Sequence, residues 1–168
     1  MAESVQGCVF QRPTEADILV VEGLYTNPVV RRYLGGPIPA SEANRRVRLA
    51  MRRWVEDGLG PWVVRETGSG AVVGYGGLSW YEGGPRVEVS YMVFPECWGR
   101  GFGLSIIEHS VADGFERLGL DDIWAETQVA NQASRELLRR AGFQFVEAVG
   151  RYSELQEVFV LHRYSPPS

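Results

Sequence analysis

A chain of 168 residues, 45% hydrophobic, has apolar side chains enough for one core and too little length for a second domain. Its formal charge of −4 lacks the concentrated basic surface of a nucleic-acid binder, so no nucleic-acid partner is expected. The N-terminus has neither a basic start nor an apolar core, and no apolar run approaches the roughly 20 residues of a membrane span, so a cytoplasmic protein without a membrane partner is expected.

Val5 to Arg12 reads as a first strand. Pro13 and Thr14 then start a helix in which Ala16, Leu19, Val20 and Leu24 recur at helical spacing, and Asn27-Pro28 breaks it. A short helical stretch, Val29 to Leu34, leads to Gly35-Gly36-Pro37. Ser41 is the expected cap of a longer helix with Ala43, Val47, Ala50, Met51 and Trp54 in one stripe and five arginines elsewhere, a solvated face. Trp62 to Glu66 and Val72 to Trp80 read as a hairpin around Gly68-Ser69-Gly70. The turn Glu82-Gly83-Gly84-Pro85 leads to a strand, Val87 to Phe94, with Val87, Val89, Tyr91 and Val93 on one face and Glu88, Ser90 and Met92 on the other.

The helix that follows is expected to bury Leu104, Ile107, Val111, Phe115 and Leu118 and to expose His109. Gly119 stops it, and Ile123 to Thr127 forms a strand that the crossover makes parallel to the one ending at Phe94. Asn131 opens a helix with Ala133, Leu137, Leu138 and Ala141 inward. Phe145 to Arg151 and Leu155 to Arg163 close the chain as a hairpin. Residues 1–164 are read as one domain and 165–168 as a frayed tail. Cys8 and Cys97 lie far apart without metal-ligand spacing, and only His109 and His162 could add imidazoles, so neither a metal nor a disulfide framework is expected.

The segment that carries chemistry is Phe94-Pro-Glu-Cys-Trp98-Gly99-Arg100-Gly101-Phe102-Gly103-Leu104. Three alternating glycines remove side chains that would block a close approach. The helix start beyond them offers free N–H groups and a positive dipole end to an anion, which predicts a phosphorylated cofactor. A P-loop would close on Gly-Lys-Ser/Thr, and all seventeen basic side chains here are arginine. A dinucleotide fold would place its loop after the first strand; here about four strands precede it, and Asp121 and Asp122 come before the next strand instead of ending it. A tight turn without a ligand is the remaining alternative.

The order β-α-α-β-β-β-α-β-α-β-β, with the glycine loop after the fourth strand, resembles the GNAT superfamily of acyl-coenzyme A dependent N-acetyltransferases over nearly the whole chain. The Gln/Arg-x-x-Gly-x-Gly/Ala signature is met by Gly101 and Gly103 and departs at Trp98. That aromatic, with Asn27-Pro28-Val29-Val30-Arg31-Arg32-Tyr33-Leu34, Glu88-Val89-Ser90-Tyr91, and Asn131-Gln-Ala-Ser134-Arg135 running to Ala141-Gly142-Phe143, is similar to the branch of ribosomal-protein N-terminal acetyltransferases. The resemblance implies an α/β (α+β) single domain: a mixed, mostly antiparallel seven-stranded sheet with a central splayed parallel pair, flanked by about four helices. It implies acetyl-CoA as cosubstrate and no metal. Pantetheine would enter the splay and pair with backbone near Met92 and Val93, a form of strand addition. The amides of Gly99, Arg100, Gly101, Phe102, Gly103 and Leu104 would hold the pyrophosphate, with Trp98 beside them and Asn131 in contact with the cofactor.

Direct transfer to an amine needs removal of its proton, stabilisation of an oxyanion and a proton for the departing thiolate. Glu88 is the leading base, acting through water from a sheet strand beside the splay; the bland alternative is a cross-strand pair. Ser134 would lie near the sulfur and protonate it, against the plain reading that it and Asn131 serve a helix cap. Tyr152 is the rival acid, while Tyr91 is read as packing in the sheet. The expected function is acetyl transfer to a primary amine, either a peptide N-terminus or a small molecule. A non-catalytic acyl-CoA sensor is the alternative of a different class. A homodimer through exposed aromatics such as Trp80 and Tyr81 is a further expectation.

Overall fold

The structure, a computed structural model, describes residues 3–5, 7–81 and 84–164. The frayed tail expected at 165–168 and half of the turn expected at 82–85 lie outside the described residues. Eight strands form one sheet: β1 (Glu3–Val5), β2 (Cys8–Gln11), β3 (Pro61–Glu66), β4 (Val72–Trp80), β5 (Val87–Val93), β6 (Asp122–Gln128), β7 (Gln144–Arg151) and β8 (Glu154–His162). Their spatial order is β1-β2-β3-β4-β5-β6-β8-β7. The count exceeds seven because the single first strand expected from Val5 to Arg12 divides at Gly7, whose φ of 83° turns the chain back into an antiparallel pair. All neighbours are antiparallel except β5 and β6, which run parallel as the crossover requires.

Four helices flank the sheet: α1 (Ile18–Tyr25), α2 (Ala40–Glu56), α3 (Phe102–Glu116) and α4 (Gln132–Arg140). Helices α1 and α2 cover one face, where Ile18, Val21, Leu24 and Val47 pack on Val63, Tyr75 and Met92. The inward stripe of α1 is Ile18, Val21 and Leu24; Leu19, expected inside, is 78% exposed. The α2 stripe is the expected one, with Ala43, Val47, Ala50 and Trp54 buried. Its N-cap is Pro39 instead of Ser41, since Ala43 N–H already donates to the Pro39 carbonyl at 3.0 Å.

Residues 29–34 form turns where a helix was expected. Asn27 Oδ1 accepts the N–H groups of Val29 (2.9 Å) and Val30 (3.2 Å), and the Arg31 guanidinium donates to the Leu34 and Gly36 carbonyls. Side chains thus take the backbone groups a helix would pair internally.

Helix α3 covers the opposite face and lies across two core clusters. Phe102 and Ile106 pack with Phe10, Trp62, Val64, Val73 and Val93, whereas Ile107 packs with Leu78, Val87, Val89, Ile123 and Phe159. This wide contact corrects the expectation for His109: it is buried, stacked on Phe10 at 3.9 Å between ring centroids and edge-on to Trp62 at 5.1 Å.

Candidate active site

The site grows from a gap in the sheet. Strand β5 keeps its full ladder with β4, and β6 keeps its ladder with β8, but β5 and β6 pair at one position, Glu88 with Trp124. Past that point, toward the glycine loop, the two parallel strands part. Phe94 N–H donates to the Val73 carbonyl at 2.9 Å, the pattern of a non-hydrogen-bonded Gly74–Val93 pair, so Val93 and Tyr91 aim their peptide groups at the gap. Met92, expected to share in pantetheine pairing, aims its own at β4, because strand parity alternates the direction. The Val93 carbonyl accepts the Trp98 indole N–H at 2.9 Å, which ties the glycine loop to the strand end.

The loop itself fits a pyrophosphate. Gly99 and Gly101 have φ of 75° and 87°, which an L side chain rarely adopts, and a Cβ at either would meet nothing within 4 Å. Gly101 is the N-cap of α3 and supplies no side-chain cap. Ser105 N–H bonds to the Gly101 carbonyl at 3.1 Å, so the N–H groups of Phe102, Gly103 and Leu104 stand at the open helix start. Arg100 pairs with Glu66 and lies 4.9 Å over the buried Phe102 ring. Burial pushes the Cys97 thiol up, so it stays protonated beside the loop.

Asn131 caps α4 by accepting the Ser134 N–H at 3.2 Å. Ser134 in turn accepts the Tyr91 hydroxyl at 3.1 Å. Burial raises the Tyr91 phenol, with the bond to Ser134 opposing, so Tyr91 holds its proton. Gly103 makes room for this: a Cβ there would meet Leu137 Cδ1 at 3.0 Å and the Tyr91 ring at 3.3 Å. Tyr91 is therefore more than a packing residue. Its tip reaches a side chain 43 positions away, a contact that strand alternation could hint at only by aiming Tyr91 toward the helix after the gap.

Glu88 is half-buried and lies on the other face of β5, opposite Ser79 and Trp124. On this face a cavity of about 390 Å³ opens between α1, α2 and strands β3 to β5, reaching Ser90 and Met92. From the sequence an acceptor pocket is expected around residues 25 to 45 and 146 to 158; Tyr25 and Arg31 of the first segment do line this cavity, no residue of the second does, and Arg46 and Tyr75 are walls the sequence reading missed. Tyr152 sits apart from both groups, 74% exposed at the tip of the β7–β8 hairpin, where it and Ser153 have φ of 53° and 64°. Trp80 is 38% exposed, and Tyr81 lies beneath the guanidinium groups of Arg86 and Arg151. Among the described residues no helix is long and apolar enough to cross a membrane.

A relative, the uncharacterized N-acetyltransferase YoaA of Bacillus subtilis, is 42% identical over 59 residues, covering 35% of this chain and 33% of YoaA. The chain thus matches about a third of the length of that curated relative. Among solved structures, the ribosomal-protein-S5-alanine acetyltransferase of Vibrio fischeri superposes with a TM-score of 0.79 at 14% identity, covering 99% of this chain and 100% of the other. The spermidine N-acetyltransferase of Vibrio cholerae, solved with CoA and spermine, gives 0.78 at 16% identity, covering 94% and 96%. At such identities these two establish the fold alone. The family described as Acetyltransferase (GNAT) domain matches residues 8–144, more than half of the sequence, and the chain belongs to that family.

Proposed function

We propose that this protein moves the acetyl group of acetyl-CoA directly to a primary amine, with a peptide N-terminus as the acceptor. The observation that carries the reading is the gap between β5 and β6, flanked by Glu88 on the cavity face and by the Tyr91–Ser134 pair on the α3–α4 face. The residues present fit coenzyme A, since the loop leaves open space above Gly99 and Gly101 and the gap leaves the peptide groups of Tyr91 and the N–H of Val93 facing outward, the Val93 carbonyl being taken by Trp98. When bound there, acetyl-CoA supplies the activated acyl carbon and a thiolate leaving group.

The chain's own residues do the rest. Gly99 to Leu104 hold phosphate by main-chain N–H groups and the dipole of α3. Asn131 fixes the start of α4 so that Ser134 faces Tyr91. Glu88 takes the proton of the incoming ammonium through water on the cavity face. Ser134, which accepts the Tyr91 hydroxyl, keeps its own proton to give on the opposite face, and Tyr91 can replace it. Base and acid thus stand on opposite faces of one strand, so the amine approaches the acyl carbon from one side of the gap and the thiolate, as its bond to that carbon breaks, is protonated on the other. A non-catalytic binder would not need such a pair. Tyr152, exposed at its hairpin tip, is the second candidate acid.

The test is calorimetric titration of acetyl-CoA followed by a free-thiol assay over peptide and small-molecule amines. Binding in the micromolar range with amine-dependent thiol release supports the transferase; binding without turnover supports a sensor, and no binding overturns the cofactor site.

A further inference from the structure

The cavity on the Glu88 face carries an unusual wall. Arg31 is 7% exposed, and its guanidinium donates to two neutral carbonyls, those of Gly36 at 2.6 Å and Leu34 at 2.5 Å. Among the described residues no carboxylate pairs with it. Arg46 stands close by: both guanidinium groups lie over the Tyr25 ring, at 5.6 and 5.9 Å. Glu42 is the one carboxylate that reaches Arg46, at 3.0 Å, and it is shared with Arg45 in a two-bond contact. Burial first, and the charge of Arg46 second, push the Arg31 pKa down, with Tyr25 opposing.

A second, independent feature points into the same space. The Tyr25 ring packs edge-on against Tyr75 at 6.1 Å, and the Tyr75 hydroxyl is buried, the residue being 3% exposed, with no hydrogen-bond partner among the described residues. One buried cation, one exposed cation already paired with Glu42, and one orphaned O–H thus stand around Tyr25; among the described residues no Asp or Glu lines the cavity, although the Asp17 carboxylate acts on the Tyr75 phenol from outside it. Buried cations and hydroxyls are normally matched by a partner. A planar carboxylate meets both needs, since it accepts from guanidinium and phenol together.

We infer that the acceptor is an amine carrying a carboxylate, gripped by Arg31, Arg46 and Tyr75 at the end of the cavity away from the transfer point. This rests on the transferase reading and narrows its acceptor. The length follows from the strand. Tyr75 pairs with Met92, and Met92 is four residue steps from Glu88, about 13 Å along an extended strand. An α-amino acid is too short to place its amine at Glu88 and its carboxylate at Tyr75. A peptide N-terminus with an acidic side chain in its second or third residue spans the distance. A polyamine would bring positive charge against Arg31, which no carboxylate among the described residues offsets.

The experiment compares thiol release by Ala-Ala-Glu-Ala-Ala, its Gln and Lys counterparts at position three, free glutamate and spermidine, each with saturating acetyl-CoA. The acidic peptide is expected to exceed the Gln peptide by about tenfold in kcat/KM, mostly through KM, with the Lys peptide and spermidine lower still. Arg46→Gln, on the outer turn of a long helix, and Tyr75→Phe should each shrink the Glu-to-Gln ratio to about threefold or less. Equal rates across the peptides, or an unchanged ratio in both variants, overturn the inference while leaving the transferase standing. Free glutamate turned over as well as the acidic peptide overturns the extended acceptor. Thiol release with no amine at all counts against the transferase itself. Calorimetry then decides the anion site alone: tighter binding of the Glu peptide than of the Gln peptide upholds it, and equal binding sinks it.

Discussion

The two faces of β5 are built in different ways. On the α3–α4 face everything is close: Gly103 lets Tyr91 and Leu137 approach, Tyr91 reaches Ser134, and the loop is tied down through Trp98 to Val93. On the α1–α2 face a cavity is left open, with a buried arginine and a buried phenol turned toward it. Under the proposed function the packed face would hold the cofactor by main chain and glycine, and the open face would leave acceptor recognition to side chains. One strand thus separates a face closed by glycine and aromatic packing from a face opened by a cavity.

The largest expected effect comes from removing the proton acceptor on the open face. Glu88→Gln should lower kcat by about 10²- to 10⁴-fold, the range for general-base catalysis, while acetyl-CoA affinity in a calorimetric titration stays the same. A loss of cofactor binding instead would mean that Glu88 closes the strand pair with Trp124 and does no proton chemistry.

Next comes the packed face. Ser134→Ala should cost roughly 100-fold in kcat and Tyr91→Phe roughly 10-fold, because Ser134 keeps its own hydroxyl in the second case. If the two act as one relay, the double variant should be no slower than Ser134→Ala alone, and full additivity of the two losses would break the relay apart. The raised Tyr91 pKa fixes the sign of the pH effect. A phenol titrating above its ordinary value stays protonated as pH rises, so the alkaline limb of kcat should lie above the ordinary tyrosine range if Tyr91 sets it.

Smaller again is a backbone change in the loop. Gly101→Ala imposes a Cβ at φ of 87°, a cost of about 1–2 kcal/mol for a left-handed residue, although the side chain itself meets no atom. Acetyl-CoA binding should weaken by about tenfold with kcat at saturation little changed, read from titration and initial rates together. An unaltered Kd would mean that the loop does not contact the phosphates.

The contrast between the faces also explains what could be read from the sequence. The loop's shape was legible because it is local: three glycines and a helix start stand within eleven residues, and Asn131 with Ser134 form a cap three positions apart. The cavity was legible only in part, through the segment 25 to 45, because Arg46 and Tyr75 come from separate elements and meet Tyr25 and Arg31 only after α1 and α2 dock. Arg46 was read as part of a solvated face, and Arg31 stood in a segment expected to be helical, whose turn instead gives its guanidinium two carbonyl acceptors. His109 misled for a similar reason, since a helix that bridges two clusters buries more of its circumference than one stripe suggests. In the closing hairpin, β8 lies inside β7, and the signal was present: Val158, Phe159 and Val160 form a continuous apolar run, which suits a strand covered on both faces, whereas Phe145 and Val146 of the outer β7 remain exposed.

The least effect is expected at Tyr152. Its side chain is 74% exposed at the hairpin tip, and its left-handed backbone is a property of the turn that a phenylalanine would keep. Tyr152→Phe should therefore change kcat by about twofold or less, in initial rates at saturating acetyl-CoA and amine. A loss as large as that of Ser134→Ala would move the proton donor from the packed face to the hairpin. The thiolate would then have to leave toward β7 and β8, and the division of labour between the two faces of β5 would no longer hold.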